Sequence, residues 1–95
     1  MTETPDSELQ LRLRIVLRDR DPVGNPDDFA ELVAALLAFR TVGGDMDRCL
    51  AERFNCGTAF VHHVANGLIA PTPAFRRDAV KKLRALAAEL GVKED

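Results

Sequence analysis

The stretch that decides the fold is Leu50 to Pro71, LAERFNCGTAFVHHVANGLIAP. Leu50, Ala51 and Phe54 lie at helical spacing, and Asn55 follows where a tight turn needs a residue that tolerates left-handed backbone better than most types other than glycine. A second short helix then runs from about Thr58 to Asn66, with Val61 and Val64 directed inward. Asn66-Gly67 suits a left-handed C-terminus for it. Ala51 supplies the small side chain that lets two short helices cross closely.

Upstream, Asp21, Pro22, Gly24, Asn25 and Pro26 form a linker that ends in a helix start. Asn25 is the N-cap, Pro26 occupies the first position, and Asp27 and Asp28 place carboxylates at the positive end of the helix dipole. Phe29, Leu32, Val33, Leu36 and Phe39 share one face through Arg40, which makes this a core helix. Gly43 and Gly44 break it, and Asp45 or Asp47 can cap the next. Downstream, Thr72 and Pro73 start a long helix whose apolar stripe is Phe75, Ala79, Leu83, Leu86 and Leu90, ended by Gly91.

The segment ELQLRLRIVLRD is different in kind. Leu9, Leu11, Leu13, Ile15 and Leu17 alternate with Gln10, Arg12, Arg14, Val16 and Arg18, the period of a half-buried strand. A helix is the rival, because Ser7 with Gln10 can form a capping box and Leu, Arg and Gln favour helices. Strand is preferred, since strict alternation leaves a helix with leucines on opposite sides. The chain offers no second strand, so the expected partner is the same segment of another copy, with Leu9, Leu11, Leu13, Ile15 and Leu17 as the dimerisation residues.

Composition bounds the function. The 95 residues, 46% hydrophobic and 29% charged, are enough for one domain with a single modest core. No apolar run reaches the length of about 20 residues that a membrane helix needs, and Glu3, Asp6 and Glu8 are foreign to a secretory signal, so a cytoplasmic protein is expected. Cys49 and Cys56 are expected as reduced, small core residues. His62 and His63 have no CxxC beside them and, as neighbours on a helix, point about 100° apart, which argues against zinc. No paired carboxylates, Ser-His arrangement or glycine-rich phosphate cradle is present, and Cys56 near His62 falls at a core position, so no enzyme and no cofactor are expected. Net charge is −2, but its distribution is polarised: residues 1–45 carry −4 and residues 46–93 carry +4.

Two short helices joined by a turn, the second presenting its N-terminal end, form the arrangement that lets a helix enter the major groove. Leu50, Ala51, Phe54, Asn55, Cys56, Val61, Asn66, Gly67 and Pro71 fit, without a gap, the pattern of the lambda-repressor-like (Xre) helix-turn-helix family, which this chain resembles over about residues 29–90. The resemblance implies a mainly α bundle of four to five helices. We expect an N-terminal arm or strand with its linker at 1–24, a helix-turn-helix domain at 25–91, and residues 57–66 as recognition helix.

By the same resemblance Thr58, Ala59 and His63 face base edges and Asn66 meets phosphate; Arg40, His62, Arg76 and Arg77 are the further expected backbone contacts. Thr58 can hydrogen-bond a base or meet a thymine methyl, Ala59 offers a methyl contact, and His63 can donate to guanine or phosphate. Asp47 stands where the family often has a phosphate-contacting Gln, and Ala65 replaces an acid that often pairs with the Arg at the position of Arg40. Phe60 beside the reading face is expected to pack under another segment. Arg77, Lys81 and Arg84 form a basic stripe at i, i+4, i+7 on the last helix.

The expected partner is double-stranded DNA, bound across two half-sites by a homodimer that the N-terminal strand or the last helix makes, as in a transcriptional regulator. The alternative is a protein-interaction module such as the antitoxin of a toxin-antitoxin pair, whose acidic N-terminal region would suit a basic cognate partner. Reading LQLRLRIVL as a DNA-binding β-ribbon is disfavoured, because no helix pair follows at that family's spacing.

Overall fold

A computed structural model describes residues 5–39 and 45–92, with the side chains of residues 5–7 and 9 left out. It contains helices α1 (Pro5–Asp19), α2 (Pro26–Leu37), α3 (Met46–Phe54), α4 (Thr58–Ala65) and α5 (Pro73–Glu89), and no strand among the described residues. No helix among the described residues is long and apolar enough to cross a membrane.

The helix starts follow from single side chains. Asn25 is extended, and its Oδ1 accepts the Asp27 N–H at 2.8 Å. Thr72 Oγ1 accepts the Phe75 N–H at 3.2 Å. Pro26 and Pro73 follow these caps, where their missing N–H costs nothing. At the other end of α5, Gly91 turns left-handed (φ 88°), and Val92 N–H bonds back to the Ala87 carbonyl at 2.9 Å.

Central to the molecule is α2, which packs against each of the other four helices. Its Phe29, Leu32, Val33 and Leu36 are fully buried, and Phe39 just beyond it is nearly so. Leu50 and Phe54 of α3, Val61 and Val64 of α4, and Ala79, Leu83 and Leu86 of α5 complete the core. Full burial of a large side chain of this kind contributes about 1.5 to 3 kcal/mol, so these residues hold α2 to α5 together. An aromatic cluster links four of them. Phe75 sits edge-on to Phe29, Phe54 and Phe60, with ring centroids 6.4, 5.7 and 5.6 Å away. Phe60 is thereby packed beneath α5, as expected.

The N-terminal segment departs from expectation: residues 5–19 are helical, not a strand. The alternating pattern hides a helical one. Leu13, Val16 and Leu17, at i, i+3, i+4, form a continuous face buried in the same core as the rest of the chain. A lone strand would leave its N–H and C=O groups without partners, whereas a helix satisfies them internally. The expected dimerisation set is split by this change. Leu13 and Leu17 are in the subunit's own core and cannot form an interface, Leu11 and Ile15 remain exposed, and the side chain of Leu9 lies outside the described residues.

The end of α1 is fastened to α2 through polar contacts. Arg20 reaches Asp28 at 3.4 Å and Glu31 at 3.1 Å, while Asp28 also accepts the Asp21 N–H at 3.1 Å. Asp21 in turn accepts the Gly24 N–H at 3.0 Å, and any Cβ at position 24 would collide with that carboxylate.

Candidate nucleic-acid interface

The surface of interest is built by the turn between α3 and α4. Asn55 adopts φ 57°, ψ 48°, the one left-handed residue other than glycine among those described. Its N–H bonds to the Glu52 carbonyl at 3.2 Å, and Cys56 N–H to the Ala51 carbonyl at 2.9 Å. These bonds close α3 and reverse the chain within three residues. Ala51 is buried at the base of the turn, so α4 crosses α3 closely.

Gly57 then starts α4 in extended backbone with no side-chain cap. The amides of the first turn of α4 are therefore available to an external acceptor, at the positive end of the helix dipole. At its far end Gly67 is left-handed (φ 77°), with Leu68 N–H bonded to the His63 carbonyl at 2.8 Å.

With Val61 and Val64 fully buried, the opposite side of α4 presents Thr58, Ala59, His62, His63 and Asn66, all exposed. These are five of the eight residues expected at base edges and phosphates, and the structure brings them onto one continuous surface. The chemistry of that surface is hydroxyl, methyl, imidazole and amide, with no Lys or Arg. Next to it, Leu68 is 71% exposed and Ile69 37%. Neither drew attention in the sequence; the signal was two adjacent aliphatic residues between Gly67 and Pro71, a stretch with no regular period to bury them.

His62 is not free of its own subunit. Its Nε2 lies 3.3 Å from Asp47 Oδ2 at the start of α3, and Asp47 Oδ1 accepts the Arg48 N–H at 2.8 Å. The hydrogen bond to His62, with that from Arg48 second, holds the Asp47 carboxyl below its usual range. Asp45, not Asp47, stands at the cap position of α3.

Other expected backbone contacts are redistributed. Arg40 lies outside the described residues. Arg77 is exposed on α5, as is Lys81. Arg76 is buried: its Nε donates to the Val23 carbonyl at 2.7 Å and its Nη1 to the Pro71 carbonyl. It therefore cannot serve as a phosphate contact, because its guanidinium already joins two backbone segments inside the subunit. Arg84 also leaves the basic stripe. It is half-buried and donates to the Leu17 carbonyl at 3.1 Å, where it ties α5 to the end of α1.

The cysteines are free and half-buried against the core. Burial pushes the Cys56 thiol up, which disfavours the thiolate. No family model, curated protein or solved structure matches the chain.

Proposed function

We propose that this chain is a sequence-specific DNA-binding protein of the lambda-repressor-like helix-turn-helix kind, acting as a dimeric cytoplasmic transcriptional regulator with residues 57–66 as its recognition helix. The observation that carries the reading is the exposed, uncapped N-terminal half of α4, set at a tight left-handed turn behind α3. Thr58, Ala59 and His63 would face base edges, while His62, Asn66 and the amides at the start of α4 would approach phosphate. The absence of Lys and Arg from α4 does not exclude DNA, since phosphate contacts supply most of the affinity and need not come from the reading helix. Arg77 and Lys81 are the exposed cations on α5 suited to that role.

One observation favours a second reading. A recognition face without a single Lys or Arg, flanked by the exposed Leu68 and Ile69, also suits a protein surface, as in an antitoxin bound to its toxin.

The test is fluorescence anisotropy on the region upstream of the protein's own gene at low and moderate salt, with a Thr58→Ala/His63→Ala variant. Each contact is worth on the order of 1 kcal/mol, so the variant should lose about tenfold or more in affinity for that region while keeping its fold. Binding by neither protein, with co-purification of a neighbour-encoded protein, would replace the DNA reading by the interaction module.

A further inference from the structure

The outer side of α1 is the least explained surface of the molecule. Successive helical residues turn by about 100°, so Leu11 and Ile15 project away from Leu13, Val16 and Leu17, and they stand 53% and 39% exposed. The chain thus spends two large aliphatic residues on a helix face that its own core does not cover. Their flanks are ordered: Glu8, Leu11, Ile15 and Arg18 follow at i, i+3, i+7, i+10, the a and d positions of two heptads, and Glu8 and Arg18 are exposed as well.

The same face carries a receptacle. Leu11, Arg14, Ile15 and Arg18, with Asp19 beside them, line a hollow of about 130 Å³. Four residues at i, i+3, i+4, i+7 are the footprint of the hole that receives one side chain of a facing helix in a coiled coil. In the wall of this hollow, Nε of Arg14 is buried with no hydrogen-bond partner among the described residues.

We propose that a second copy of this chain docks here, its α1 antiparallel to the first. The charges choose the occupant and its direction. In an antiparallel pair, a positions face d positions, so Glu8 of each copy meets Arg18 of the other at both ends, and Leu11 meets Ile15 in the middle. Leu11 of the second copy then falls level with the hollow. A parallel pair would set Glu8 against Glu8 and Arg18 against Arg18. The antiparallel arrangement is isologous, with its two-fold axis level with Leu13, as a closed dimer requires. Two apolar residues per subunit make a contact below the standard interface of about 800 Å² per partner, so the dimer forms reversibly with concentration.

This inference deepens the DNA-binding reading, which calls for two copies, but its test uses no DNA, so either can fail alone. Sedimentation equilibrium of the full chain over a concentration series should show monomer converting to dimer. Glu8→Arg and Arg18→Glu, both at exposed positions, should each weaken association at least tenfold by leaving like charges at both ends, with helix content by circular dichroism unchanged. An equimolar mixture of the two variants should associate as well as the original chain, because each mixed pair has opposite charges at both ends; the double variant E8R/R18E should do the same. A chain that stays monomeric throughout the series, or a mixture no better than its components, overturns the proposal.

Discussion

Nε of Arg76, at the start of α5, lies 2.7 Å from the carbonyl oxygen of Val23, in the linker between α1 and α2, 53 residues away in sequence. With Nη1 on the Pro71 carbonyl, a single guanidinium joins the linker, the loop after α4 and the first turn of α5. The planar fork of arginine suits two acceptors at a fixed angle, and its charge shortens both bonds. Removing it leaves the buried Pro71 carbonyl and the half-buried Val23 carbonyl without this donor. Arg76→Ala should therefore destabilise the protein by about 2 to 4 kcal/mol, and Arg76→Lys should recover only part of this, because an ammonium on a flexible stem does not reproduce the fork. Urea unfolding measures both. Arg77→Ala, at the neighbouring exposed position, should stay within about 0.5 kcal/mol. Its effect should instead appear in DNA binding, as a decrease of about 1 in the slope of log affinity against log salt.

Asn55 gives a backbone prediction. Its left-handed conformation costs most residues about 1 to 2 kcal/mol, less for Asn and nothing for Gly. Asn55→Ala should lower stability by about 1 kcal/mol, whereas Asn55→Gly should match or exceed the original chain. Thermal unfolding that gave Ala and Gly the same midpoint would show that α3 and α4 do not depend on this turn.

Phe75 is the hinge of the aromatic cluster and the next target. It is half-buried, yet its ring touches Phe29 of α2, Phe54 of α3 and Phe60 of α4. Phe75→Ala should cost about 2 to 4 kcal/mol, with Phe75→Leu losing less, because a cavity and the edge-to-face contacts contribute separately. The consequence for α4 is more specific. Without the Phe75 ring, Phe60 loses its cover, so hydrogen exchange should accelerate in residues 58–65 more than in residues 26–37.

Asn25, Thr72, Asn55 and the inward faces of α2 to α5 were legible in the sequence because each depends on local chemistry: a cap oxygen, a left-handed residue, a period of 3.6. Residues 9–18 were misread for a physical reason. Alternation and helical periodicity coincide there, and what decides between them is a tertiary fact, the presence of α2 to receive Leu13, Val16 and Leu17 and the lack of any strand to pair with. The leucines on opposite sides, which argued against a helix, are where the structure puts them. Arg76 was misread because a sequence shows charge but not the two carbonyls that the fold brings to it. The same holds for Arg84 and the Leu17 carbonyl. The face of α4 was readable because Val61 and Val64 fix which way that helix turns.

Asp47 joins stability, pH and recognition. Its carboxyl is held below the usual range by the His62 hydrogen bond, so it has a lower affinity for protons in the folded chain than in the unfolded one. The stabilisation this represents is fully present above the unfolded value of 3.8 and is lost as pH falls through the lower folded value. Melting curves of the original chain and Asp47→Asn should accordingly differ by a small amount above about pH 5 and converge in stronger acid. In the proposed complex the same carboxylate stands at the start of α3, near the phosphates that His62 would approach. A like charge there opposes the approach of phosphate, so Asp47→Gln should raise DNA affinity about threefold at low salt, and the gain should fade as salt rises. An affinity that is unchanged at low salt, measured by anisotropy on the upstream region, would mean that the start of α3 does not face a duplex, and the docking orientation proposed for α4 would have to be given up with it.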